Sequence, residues 1–135
     1  MRSRYKIHDP DATYFLTATI IEWIPALNGP DERQILTDAL AHCRQEKALR
    51  LHAYVLMDNH LHLLATAPDL SGVLQSFKRF TARKLMNHFR ERGKTWLLNQ
   101  LSYHKKDYKT ESDHQFWQEG SHPKQSTAKP CSTKK

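Results

Sequence analysis

The sequence predicts an α+β domain of the ferredoxin-like split β-α-β type, with an antiparallel sheet and two helices on one face. Three observations carry that reading. Residues 14–21, 51–57 and 60–67 are rich in β-branched, aromatic and aliphatic side chains suited to strands. Residues 31–49 and 70–92 place apolar side chains at helical spacing. Their order is β-α-β-β-α, which lacks only a last strand.

Residues 14–21, from Tyr14 through Ile20 and Ile21, form the first expected strand. Asn28, Gly29 and Pro30 then break the chain. Ile35, Leu36, Ala39, Leu40 and Cys43 mark the buried side of a first helix over 31–49. Two strands follow, joined by the two-residue turn Asp58-Asn59. Asp69 is placed to cap a long second helix, and Gly93 to stop it. Leu70, Val73, Leu74, Phe77 and Phe80 mark the buried side of that helix. Residues 94–113 read as polar and charged, and Phe116 to Glu119 is the candidate last strand. Beyond Gly120 the chain has no Leu, Ile, Val, Phe, Met, Trp or Tyr. The expected division is therefore a domain over 1–120 and a disordered polar tail over 121–135, because nothing there offsets the entropy of ordering.

At 135 residues the chain fits one domain, and 39% apolar residues suffice for a modest core. The formal net charge of +7 points to a polyanionic partner. No apolar run approaches the ~18 residues needed to span a bilayer, so no membrane role is expected. The basic start has no apolar stretch behind it and does not read as a secretory signal. The two cysteines, Cys43 and Cys131, give neither a disulfide framework nor zinc spacing, which suits a reducing, cytoplasmic location.

The most informative segment is Asp58-Asn59-His60-Leu61-His62 with its flanking strands. Successive strand side chains alternate between faces, so His60 and His62 share one face while Leu61 and Leu63 point into the core. Two neighbouring imidazoles can hold one divalent cation. Taken alone, a His-x-His triplet on an exposed strand is more often surface decoration than a metal site.

Four blocks widen the context: residues 14–17, residues 53–64 around the histidines, residues 77–83 and residues 116–125. In this order they resemble the REP-associated tyrosine transposases, members of the single-tyrosine HUH transposases of bacterial insertion sequences. The resemblance covers residues 14–125 and implies the HUH transposase fold. It implies binding of single-stranded or hairpin DNA, with His60 and His62 as ligands of magnesium or manganese. It also implies cleavage and transfer of a DNA strand through a 5′-phosphotyrosine. A divalent cation on the scissile phosphate offsets charge in the transition state, and a tyrosyl ester conserves the bond energy without ATP.

The sequence departs from the family where the nucleophile is expected. The family's tyrosine helix follows the block that contains Phe116, Trp117 and His122, and no such motif follows here. The catalytic residue is thus unknown, with Tyr108 and Tyr103 as fallbacks in a basic segment that otherwise reads as a solvated linker. The expectation is a chain truncated at its C-terminus. Its alternatives are a DNA-binding remnant without catalysis, a truncated pseudogene product, or an active enzyme that uses an unrecognised nucleophile or the tyrosine of a complete relative in trans; a homodimer is a further expectation.

Candidate DNA contacts lie on the second helix. Arg79, Arg83 and Arg90 form one stripe opposite the Leu70, Leu74 and Phe77 face, and Lys78 lies nearer the buried edge. The competing reading is a solvated helix face. Trp117 suits base stacking or, more commonly, a core position, while Trp23 and Trp96 read as packing residues.

Overall fold

The computed structural model describes residues 7, 9–103, 116–118 and 123–125. Its strands are β1 (Tyr14–Thr19), β2 (Arg50–Leu56), β3 (His60–Thr66) and β4 (Lys124–Gln125). Its helices are α1 (Pro30–Glu46), α2 (Leu70–Glu91) and α3 (Thr95–Tyr103). The sheet order is β2-β3-β1-β4 and every pairing is antiparallel. This is the expected ferredoxin-like arrangement.

Alternation along the strands decides the layers. Tyr14, Leu16 and Ala18 of β1 and Leu61, Leu63 and Ala65 of β3 are buried in the core. They meet Leu36, Ala39, Leu40 and Cys43 of α1 and Leu70, Val73, Phe77, Leu85 and Phe89 of α2. Both helices therefore cover one face of the sheet, and among the described residues the opposite face is open. β2 is an edge strand with a bulge between Leu51 and Ala53, and it leaves Tyr54 and Val55 exposed.

α1 starts with Pro30 in its first turn behind Gly29, where the ring's missing N–H costs nothing. Asp69 caps α2 by accepting the Gly72 backbone N–H at 3.2 Å. Gly93 ends that helix region with a φ of +66°, which a residue without Cβ adopts without strain.

Four expectations need correction. Residues 94–113 read as polar and charged with no element of their own, yet Thr95–Tyr103 form α3, and residues 104–113 lie outside the described part. Leu97, Leu98 and Leu101 pack on the core at helical spacing, a signal masked by the polar residues around them. The last strand is not Phe116 to Glu119. Phe116 and Trp117 are core side chains held by one bridge, Ile20 to Trp117, and the paired strand is Lys124–Gln125. That strand lies beyond the boundary drawn at residue 120, while residues 126–135 lie outside the described part. Phe80 is 40% exposed rather than buried, because it falls at the border of the α2 face, where Arg83 and Lys84 cover its ring at 5.7 and 6.0 Å. Trp23 and Trp96 are each 58% exposed and do not act as packing residues.

Candidate functional site

β3 opens immediately after the Asp58-Asn59 turn, which is closed by the Met57 N–H donating to the His60 carbonyl at 2.8 Å. The register pairs Thr17 with His62 and Thr19 with His60. Val55 lies across from His62 on the other side. Because opposed residues share a face, His60 and His62 stand on the open face with Phe15, Thr17 and Val55. Their ring centroids are 4.7 Å apart, in an edge arrangement of 75°.

Each imidazole is oriented through its Nδ1. The Asn59 amide donates from Nδ2 to the Trp23 carbonyl at 3.3 Å, which turns its Oδ1 towards the His60 Nδ1 at 2.7 Å. Nδ1 of His60 must then carry the proton, and Nε2 keeps its lone pair. Nδ1 of His62 lies 3.1 Å from Thr17 Oγ1. A cation on its Nε2 would select the tautomer in which Nδ1–H donates to that hydroxyl. Burial and the neighbouring His60 both lower the pKa of His62, with burial the larger cause, so the neutral, ligating form is favoured.

The donor set supplies two nitrogens. Among the described residues there is no group of three or more His, Cys, Asp or Glu side chains arranged to hold a metal ion. The pair fits two positions of a divalent ion whose others are filled by oxygen from water or phosphate. Imidazole nitrogens suit manganese better than magnesium, which prefers oxygen ligands throughout.

Side chains that the sequence left unremarked surround the pair. Phe15 stacks on His62 at 5.3 Å and 19°. Trp23 meets His60 edge-on at 5.9 Å. Lys124 lies opposite Phe15 in the register, on the same open face. The period-2 pattern of residues 14–19 could have revealed Phe15 and Thr17. Nothing local marked Trp23, which reaches the site through tertiary contacts of its loop.

The arginine stripe lies elsewhere. Arg79, Arg83 and Arg90 are exposed, and Lys78 is half-buried. They project from the side of α2 opposite its core contacts, so the helix layer and the sheet separate them from the histidines. Trp117 is buried and donates from Nε1 to Thr81 Oγ1 at 3.0 Å, which removes it as a stacking residue. Tyr103 ends α3 and is 81% exposed in the helix layer. Tyr108 and His122 lie outside the described residues.

A half-covered antiparallel sheet with paired, oriented histidines on its open face defines a transposase-type domain of the kind the sequence resembles. Residues 25–115, 91 of the 135, match the family profile described as "Transposase IS200 like", and the chain belongs to that family. The fold is similar to the structure of a REP-associated tyrosine transposase bound to a REP hairpin, with a TM-score of 0.62 and 16% identity. That match covers 96% of this chain and 64% of the other, so the chain spans about two thirds of that protein's length. A candidate transposase from Deinococcus radiodurans R1 aligns with a TM-score of 0.50 and 20% identity, over 67% of this chain and 70% of that one. No curated protein sequence matches the chain. No described helix is long and apolar enough to cross a membrane.

Proposed function

We propose that this chain binds single-stranded or hairpin DNA on the open face of its sheet, in the cytoplasm, as part of DNA transposition. His60 and His62 hold a divalent metal, manganese or magnesium, against a backbone phosphate. The observation that carries the reading is the histidine pair itself, with both Nδ1 atoms engaged and both Nε2 atoms left for a ligand. The bound cation would offset charge that builds on a phosphate oxygen during strand cleavage. The protein's own share is to orient the imidazoles through Asn59 and Thr17. Arg79, Arg83, Arg90 and Lys78 serve a separate stretch of backbone, such as a hairpin stem that passes around the domain.

A second reading, DNA binding without cleavage by this chain alone, is favoured by where the three described tyrosines lie. Tyr14 is buried on the helix side, with its hydroxyl accepting the Asp9 N–H at 3.0 Å. Tyr54 pairs with Leu63 and so alternates away from the histidines. Tyr103 stands in the helix layer. A nucleophile must sit within about 3–3.5 Å of phosphorus, in line with the leaving oxygen, and none of these three faces the pair. A 5′-phosphotyrosine would then draw on Tyr108, which lies outside the described residues, or on the tyrosine of a complete relative supplied in trans.

The test combines two measurements on the 135-residue chain. Manganese binding, followed by loss of the free-ion paramagnetic resonance signal, should disappear in His60→Ala and His62→Ala. Unchanged manganese binding in both variants would sink the metal site. Incubation with manganese and single-stranded substrate should give hairpin binding but no covalent band. A band abolished by Tyr108→Phe or Tyr103→Phe would make that tyrosine the nucleophile and reject the non-cleaving reading.

A further inference from the structure

We propose that Trp23, assisted by Phe15, is a stacking platform that holds one unpaired base of the DNA beside the phosphate at His60 and His62. The inference rests on the reading of the open face as the DNA-binding face.

The loop after β1 is built to present Trp23 outwards. Ile21 and Ile24 on either side of it are almost fully buried, while Trp23 itself is 58% exposed. Glu22 and Trp23 both adopt positive φ, at 53° and 58°, within the turn Ile21–Trp23. Left-handed backbone at a non-glycine residue costs about 1 kcal/mol or more and persists where the surroundings fix it. Here they do. The Ile21 N–H donates to the Phe116 carbonyl at 2.8 Å, and the Leu27 N–H to the Asp58 carbonyl at 2.8 Å. The Asn59 amide holds the Trp23 carbonyl itself. The residue that orients His60 therefore also anchors Trp23.

An indole is among the most costly side chains to leave in water, and this one is rigidly placed beside a candidate phosphate site. Phe15, 44% exposed, extends the apolar surface past His62. Lys124 adds a cation next to Phe15. The arrangement alternates flat apolar surface with groups that take up anionic oxygen. Single-stranded nucleic acid has the matching pattern, a base for each phosphate, and the chain's charge of +7 favours such a polyanion. Aromatic stacking of this kind tolerates any base, so the platform would set position rather than sequence.

The experiment measures binding of a fluorescently labelled hairpin with an unpaired flank, by anisotropy across a salt series. Trp23→Ala should weaken binding about five- to a hundred-fold with the salt slope unchanged, because stacking is not electrostatic. Trp23→Phe should retain most of the affinity. A scan of single abasic sites along the flank should find one position at which parent and Trp23→Ala bind equally. Three results overturn the platform. Equal binding by parent and Trp23→Ala, with loss in His60→Ala, leaves the DNA face standing and removes Trp23 from it. A loss that persists at every abasic position, together with weaker manganese binding, makes Trp23 a support for His60 only. No binding by the parent chain removes the DNA reading and the platform together.

Discussion

At the residue scale, the candidate site depends on two hydrogen bonds rather than on the histidines alone. Partners that fix a ligand's tautomer commonly control affinity by 10- to 100-fold, on the order of the loss expected for Asn59→Ala. Thr17→Val should act more weakly, because the sheet still holds His62 in place. Manganese titration of the two variants checks this, and equal affinity in Asn59→Ala would show that His60 is oriented by packing. The histidine pair was legible because period-2 alternation fixes a face from sequence alone. Trp23 was not, since a tryptophan in a loop gives no sign of which way a strained turn will aim it. Cys43 offers a separate measurement. Burial pushes its thiol up, and the nearby Lys47 opposes the shift only in part. The unfolded thiol ionises first, so Cys43's contribution to stability is intact below the ordinary thiol range near 8.5 and is lost as pH rises above it. Urea midpoints at pH 7.5 and 9.5 should fall further for the parent than for Cys43→Ala.

At the scale of elements, α2 shows how a cap and a glycine depend on each other. A Cβ added at Gly72 would collide with the Asp69 carboxylate that caps the helix. Asp69→Ala should cost about 1 kcal/mol. Gly72→Ala gains about 1 kcal/mol of helix propensity but displaces the cap, so its net effect on the parent should be small. In the Asp69→Ala background the same substitution should stabilise by about 1 kcal/mol. Denaturant unfolding of the four proteins tests this, and additive effects would refute the coupling. The first three strands and both long helices were legible from periodicity to within a few residues. The last strand was not. Phe116 and Trp117 carried the aromatic signal of a strand, yet their role is to fill the space between α2 and β1. Lys124 and Gln125 pair with β1 through backbone groups alone, and a polar two-residue strand has no side-chain signature. α3 was missed because its leucines are set among polar residues.

At the scale of the whole molecule, charge is split between two sides. The helix layer carries the exposed arginines and the open sheet face carries the histidines. If Arg79, Arg83 and Arg90 contact three phosphates, log affinity should fall with log salt at a slope about 2 units steeper than in the triple alanine variant for a single strand, or about 2.7 units steeper for a hairpin stem. Base-dependent effects should be untouched by that variant, because its residues lie far from the platform. An identical slope in parent and variant would take the stripe out of the interface. The overall fold was the most legible property of all, since the order of five elements already restricts the topology.

The exposed side of β2 bears on how the protein will behave in the tube. Ala53 to Met57 is a run of five uncharged residues along a free margin of the described sheet, with Tyr54 and Val55 turned to solvent. The bulge at its start and Arg50 guard only the first half. In concentrated stocks the unguarded half is a template for lateral pairing of chains, and fibrillar aggregation should set in there first. Tyr54→Lys, on the side away from the histidines, should raise the concentration at which light scattering appears and leave manganese binding as it was.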